Sequence, residues 1–240
     1  MHFPAAPMGP FVLLLLDLET TGTDVGRCRI VEIAAAQAVD HPGKPGACFA
    51  QVVKVPDEIL SSPEARAASA VHGISDEEIS TSHTFPTVWE RFLGFVERTL
   101  NDYVTEEDSE SDHEEPGLPR MPDEPPALLL AAHNGYKRWA RRILALPSIH
   151  LGSPADLFPR RYKFDFAVLL AEIVRNKLPI APFRRWFFVD TLAILDATKD
   201  EVGPCLKLQC LVRHYTDSRD LRAHRAVSYT HLTLPTILLV

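Results

Sequence analysis

Apolar residues fall along the chain in short blocks whose periods change from one block to the next. Phe11-Val12-Leu13-Leu14-Leu15-Leu16 is an unbroken run ending in Asp17-Leu18-Glu19-Thr20-Thr21-Gly22. Such a run predicts a strand buried on both faces. Residues 29–37 and 47–55 read as two further strands, joined by the breaker-rich Asp40-His41-Pro42-Gly43-Lys44-Pro45-Gly46, and Pro56 ends the second. Ser62-Pro63 predicts a short helix with a serine cap and proline in its first turn. After His72-Gly73-Ile74, Ser75-Asp76-Glu77-Glu78 has the form of a capped helix start, and His72 reads as a structural residue of that turn. From Pro86 to Leu100, the apolar positions Val88, Trp89, Phe92, Phe95, Val96 and Leu100 recur at a helical period. Residues 127–132 form another buried strand. A helical pattern from Phe164 to Lys177 is stopped by Pro179, Trp186 to Leu192 reads as the last strand, and 206–212 as a further helix.

The first strand carries the candidate chemistry. Side chains alternate along a strand, so Asp17 and Glu19 project together while Leu18 points away. Two neighbouring carboxylates repel and resist desolvation unless a cation lies between them. Their oxygens suit Mg²⁺ or Mn²⁺. On spacing alone a polar strand end with two solvated acids remains an equal alternative.

At 240 residues and 46% hydrophobic, the chain predicts one globular domain. No apolar run approaches the roughly 18 residues of a membrane span, and Met1-His2-Phe3-Pro4 lacks the basic start of a signal peptide. Cys28, Cys48, Cys205 and Cys210 form no zinc-type spacing, which predicts free thiols and an intracellular, cytoplasmic or nuclear, setting. The net charge of −7 is concentrated: residues 102–126 hold ten acids against Arg120, leaving the rest of the chain at +2. From residue 104 that segment lacks hydrophobic periodicity and predicts a disordered acidic insert. No basic stripe of a duplex binder is present.

Asp17-Leu18-Glu19-Thr20-Thr21-Gly22, followed by Arg29-Ile30-Val31-Glu32-Ile33-Ala34, resembles the first motif of the DEDD proofreading-exonuclease superfamily. His133-Asn134-Gly135-Tyr136 with Phe164-Asp165-Phe166 is similar to its second motif, divided here by residues 138–163. Asp190-Thr191-Leu192 resembles the family's step from a strand into a helix, which makes Asp190 a structural or outer acid. Asp220-Leu221-Arg222-Ala223-His224 resembles the third motif, in which an aspartate follows the histidine by five positions; Tyr229 stands there instead.

The resemblance implies a ribonuclease-H-like α/β/α fold, three layers with a mixed central sheet. It implies Asp17, Glu19 and Asp165 as ligands of two Mg²⁺ or Mn²⁺ ions and His224 as the catalytic base. Thr20 and Thr21 would offer hydroxyls and backbone N–H groups to the terminal nucleotide, and Asn134 would pin the loop presenting Asp165. The expected activity is 3′→5′ hydrolysis of phosphodiester bonds at single-stranded or frayed nucleic-acid 3′ ends, DNA first. An exoribonuclease and a non-catalytic nucleic-acid-binding module are the alternatives, the latter favoured by Tyr229. Oligomeric state is not legible.

Two stretches depart from the family. Residues 138–163 are basic, with Arg138, Arg141, Arg142, Arg160, Arg161 and Lys163 against Asp156; excising them joins the two halves of the second motif. They read as a retained intron or as a basic loop feeding DNA to the site. Residues 228–240 read as a non-native tail. The exonuclease domain is thus expected over 1–227, and the chain as written is expected to have little activity.

Overall fold

The computed structural model describes residues 10–38, 46–110, 126–132, 164–179 and 186–191. Six strands form one mixed sheet: β1 (Phe11–Thr20), β2 (Ile30–Gln37), β3 (Cys48–Lys54), β4 (His83–Thr84), β5 (Ala127–Ala132) and β6 (Trp186–Asp190), in spatial order β4-β3-β2-β1-β5-β6. The apolar run thus lies in an interior strand. β1 pairs antiparallel with β2 and parallel with β5, while β6 continues the parallel side. Interior pairing on both edges explains why β1 tolerates an unbroken apolar sequence. The sheet with its helices is α/β, as the expected ribonuclease-H-like class requires.

The two faces of β1 are told apart by their neighbours. Val12, Leu14, Leu16 and Leu18 join the main core with helix α4 (Phe85–Glu110) and helix α5 (Phe164–Arg175). Leu13 and Leu15 instead meet Ala38, Ala131 and Val189. The main core is rich in rings: Trp89 stacks on Phe85 and approaches Phe92 and Trp186, with centroids 5.4–6.2 Å apart. Helices α1 (Asp57–Leu60), α2 (Pro63–His72) and α3 (Asp76–Thr81) follow, and Leu60 of α1, Ile74 from the α2–α3 turn and Ile79 of α3 form a second cluster with Val31 and Val55.

Local signals account for these ends. The Ser62 hydroxyl caps α2 by accepting from Ala65 N–H, and Ser75 caps α3 by accepting from Glu78 N–H. Gly73 takes φ +69° after α2, a left-handed position suited to glycine. His72 is buried, and its Nδ1 accepts the Ile74 N–H at 3.0 Å, in keeping with a turn residue. Helix α5 ends with Lys177 at φ 55°, as Lys177 N–H meets Val174 O and Leu178 N–H meets Ile173 O.

Three differences from the sequence expectation stand out. Helix α4 runs 26 residues to Glu110, through the first part of the segment expected to be disordered from residue 104. A helix already nucleated on the core propagates at little cost through Thr-Glu-Glu-Asp-Ser-Glu, which contains no proline or glycine. The pairing of β4 with β3 and the single turn of α1 were not expected, because neither is long enough to show a period. β6 stops at Asp190, short of the expected Leu192, and Thr191 is already helical. Most of the Asp40–Gly46 loop, residues 138–163, the 206–212 helix and the 228–240 tail lie outside the described residues.

Candidate active site

Asp17 and Glu19 sit near the C-terminal end of β1 on the Leu13–Leu15 face, and both are half-buried. Across the β1–β2 ladder Glu19 is paired with Glu32 and Asp17 with Ala34. One face therefore carries Asp17, Glu19 and Glu32. Immediately beyond, the register slips between Glu19 and Thr20, a bulge that ends regular pairing at the acids. The Asp17 carboxyl is pushed up to about 7, first by burial and then by the charge of Glu32, with a backbone hydrogen bond at Leu18 pulling the other way. Glu32 is almost fully buried. It appeared in the motif only as part of a strand; a lone acid inside the apolar run Ile30–Ala36 was the available signal of a buried carboxyl.

Thr20 and Thr21 are buried and tied locally. Thr20 Oγ1 donates to Gly22 O at 2.8 Å, Thr21 Oγ1 accepts from Arg29 N–H at 2.9 Å, and Thr21 N–H donates to Arg29 O at 2.9 Å. The hydroxyls expected to be available to a nucleotide brace the β1–β2 turn, as does the Thr21 N–H. The bulge puts Arg29 opposite the end of β1, where its main chain becomes the natural partner.

Asp165 lies in the first turn of α5 and is buried, 4% exposed. A second feature of α5 was not expected. Glu172, 1% exposed, receives Arg29 in a fork: Nε lies 2.9 and 3.0 Å from its two oxygens and Nη2 2.6 Å from Oε1. Arg175 Nη1 and Asn176 Nδ2 also donate to that carboxylate, and Arg175 Nη2 reaches Gly26 O at 3.3 Å. A buried charge is thereby compensated at both oxygens.

The structure thus brings Asp17 and Glu19 together with Glu32, and places Asp165 on a separate helix. Among the described residues no group of three or more His, Cys, Asp or Glu is gathered to hold a metal ion. The donor chemistry of the strand pair still fits a hard divalent cation: two carboxylates share a face, and Asp17 is short of compensating positive charge. The expected base His224 and the loop residue Asn134 lie outside the described residues, as does Tyr229. Asp190 ends β6 opposite Ala132 in the ladder.

Residues 14–106 match the family model described as Exonuclease, RNase_T. The stretch carrying Asp17, Glu19 and Glu32 is therefore similar to that exonuclease family, the likeness the motifs implied. No curated protein sequence matches the chain. Among solved structures, the fold is similar to E. coli exonuclease I in complex with single-stranded DNA, with a TM-score of 0.59 and 16% identity over 96% of this chain and 40% of that one. It is similar to cell-death related nuclease 4, with a TM-score of 0.57 and 17% identity over 96% of this chain and 63% of that one. It also resembles the nuclease domain of 3′hExo, a DEDDh family member bound to rAMP, with a TM-score of 0.52 and 14% identity over 98% of this chain and 92% of that one. The chain therefore spans 40% of the exonuclease I chain and under two thirds of nuclease 4. No helix among the described residues is long and apolar enough to cross a membrane.

Proposed function

We propose that the chain is a metal-dependent 3′→5′ exonuclease that removes nucleoside monophosphates from single-stranded or frayed 3′ ends, acting on DNA. The observation that carries this reading is the Asp17–Glu19 pair, held on one sheet face at the end of β1 inside the family-matched stretch. Asp17, Glu19 and, from α5, Asp165 would hold two Mg²⁺ or Mn²⁺ ions. Such ions, when bound, stabilise the charge that develops on the attacking and leaving oxygens of a phosphodiester.

The remaining work falls to the chain. The carboxylate charge on β1 is raised in free energy by burial and by Glu32, a cost that a bound dication would offset. His224 would take the proton of the attacking water at an imidazole nitrogen, a task suited to histidine, whose unperturbed pKa is near 6.5. By the family resemblance Asn134 would pin the loop that presents Asp165. Thr20 and Thr21, tied into the turn, keep the two β1 acids on their face, where they would meet the terminal nucleotide.

A ribonuclease reading is kept because 3′hExo, similar in fold, is bound to rAMP. Incubation of 5′-labelled single-stranded DNA and matched RNA with Mg²⁺ tests both. The expected result is stepwise shortening of DNA from its 3′ end, stopped by a chelator or a 3′-terminal phosphorothioate, weak in this chain and stronger after Tyr229→Asp combined with deletion of residues 138–163. Faster shortening of RNA would transfer the activity to RNA. Absence of shortening in both chains would overturn the proposal.

A further inference from the structure

We infer that the Arg29–Glu172 pair is a positioning device that sets Asp165 in register with the acids of β1; this rests on the exonuclease reading above. Arg29 belongs to two structures at once. Its main chain is bound on both sides by Thr21, two residues after Glu19. Its guanidinium is forked onto Glu172 of α5, a residue 143 positions away in sequence. A fork of parallel N–H donors fixes the orientation of its carboxylate as well as its distance, which a lysine would not do.

Glu172 lies seven residues after Asp165, and positions i and i+7 share one face of a helix. Both are buried on that stripe together with Val168 and Leu169 between them. The clamp therefore holds the face of α5 that carries Asp165 against the start of β2, roughly 10 Å down the helix axis from Asp165. A helix transmits such a restraint rigidly, since sliding by one residue would move Asp165 by about 1.5 Å and turn it by about 100°. Arg175 to Gly26 O ties the same end of α5 to the β1–β2 turn, and Asn176 Nδ2 steadies the Glu172 carboxylate from within that end. Buried ion pairs add little net stability compared with well-packed apolar residues, and fixing one arrangement is their best-attested use.

A double-mutant cycle with Mn²⁺ alone as the probe tests this, read by electron paramagnetic resonance of the free ion. The parent chain should bind Mn²⁺, with Asp17→Asn abolishing the binding and Asp165→Asn weakening it at least tenfold. The apolar pair Arg29→Met with Glu172→Met should fold, shown by an unchanged circular dichroism spectrum, yet bind Mn²⁺ at least tenfold more weakly. In that background Asp165→Asn should cost less than threefold, because Asp165 is no longer delivered. An equal cost of Asp165→Asn in both backgrounds would overturn the positioning role while leaving the exonuclease reading intact. Parent binding that Asp17→Asn does not alter would overturn the exonuclease reading and this inference together. Should the double variant fail to fold, Arg29→Lys, which keeps the charge and loses the fork, replaces it in the same cycle with the same criteria.

Discussion

Glu19 of β1 and Glu32 of β2 face each other across the last regular rung of their ladder, one step before the register slips at Thr20. Like charges directly opposite on a sheet destabilise it. The acid cluster is thus a local cost that the surrounding core must outweigh.

The cost should be visible in the pH dependence of stability without metal. Asp17 has a folded pKa near 7 against an ordinary 3.8. Its folded form therefore holds a proton more tightly than the unfolded chain. Below about pH 4 it imposes no penalty, and between that point and about 7 the penalty grows to its full value. Asp17→Asn should raise stability at pH 8 by about 1–2 kcal/mol, allowing for the open side of the residue, and leave it unchanged near pH 4. Thermal melts at both pH values in a chelator check this, and an equal effect at both would refute it.

Breaking the buried pair should be costlier than deleting it. Glu172→Met alone leaves the Arg29 guanidinium without its buried partner and is expected to destabilise by about 3 kcal/mol or more, whereas Arg29→Met with Glu172→Met should lose far less. Urea titrations of the single and double variants provide the comparison.

Lys177 occupies a left-handed position at the C-terminus of α5, where a Cβ is unfavourable. Lys177→Gly should therefore stabilise by about 0.5–1 kcal/mol, the reverse of the usual effect of glycine inside a helix. A shift of the urea midpoint to lower concentration would contradict the assigned cap.

The two described cysteines should differ in reactivity. Cys28 is buried, and its thiol is pushed up to about 12, chiefly by burial; Cys48 is exposed and raised less, so it presents the accessible thiol. In a Cys205→Ser, Cys210→Ser background, a disulfide reagent at pH 8 should titrate one thiol quickly and the second only on unfolding. Two fast thiols would contradict the burial of Cys28.

Much of this was legible because it was local. The run Phe11–Leu16 announced an interior strand, Ala127–Ala132 is a strand over the residues read as one, and the Ser62 and Ser75 caps appear where their sequences indicated. The pairing of Asp17 with Glu19 followed from alternation alone. The Arg29–Glu172 clamp did not, because an ion pair spanning 143 residues leaves no period or spacing to read. Glu32 was hidden for a related reason: only the register of β2 against β1 shows that it faces the acids. The tying of Thr20 and Thr21 depended on the bulge, which no local pattern revealed. The extension of α4 to Glu110 shows that a segment without apolar period can remain helical when the preceding turns are anchored.

On the proposed reading, the carboxylates at the end of β1 hold the metal ions that the hydrolysis needs. The most direct test of that reading is the rate of nucleoside monophosphate release from single-stranded DNA by the Tyr229→Asp chain lacking residues 138–163, alone and carrying Asp17→Asn or Glu19→Gln. Each added substitution should lower the Mg²⁺-dependent rate by at least about 100-fold, the scale expected for losing a group at the reacting centre, with the circular dichroism spectrum unchanged. A parental rate in either variant would contradict the account.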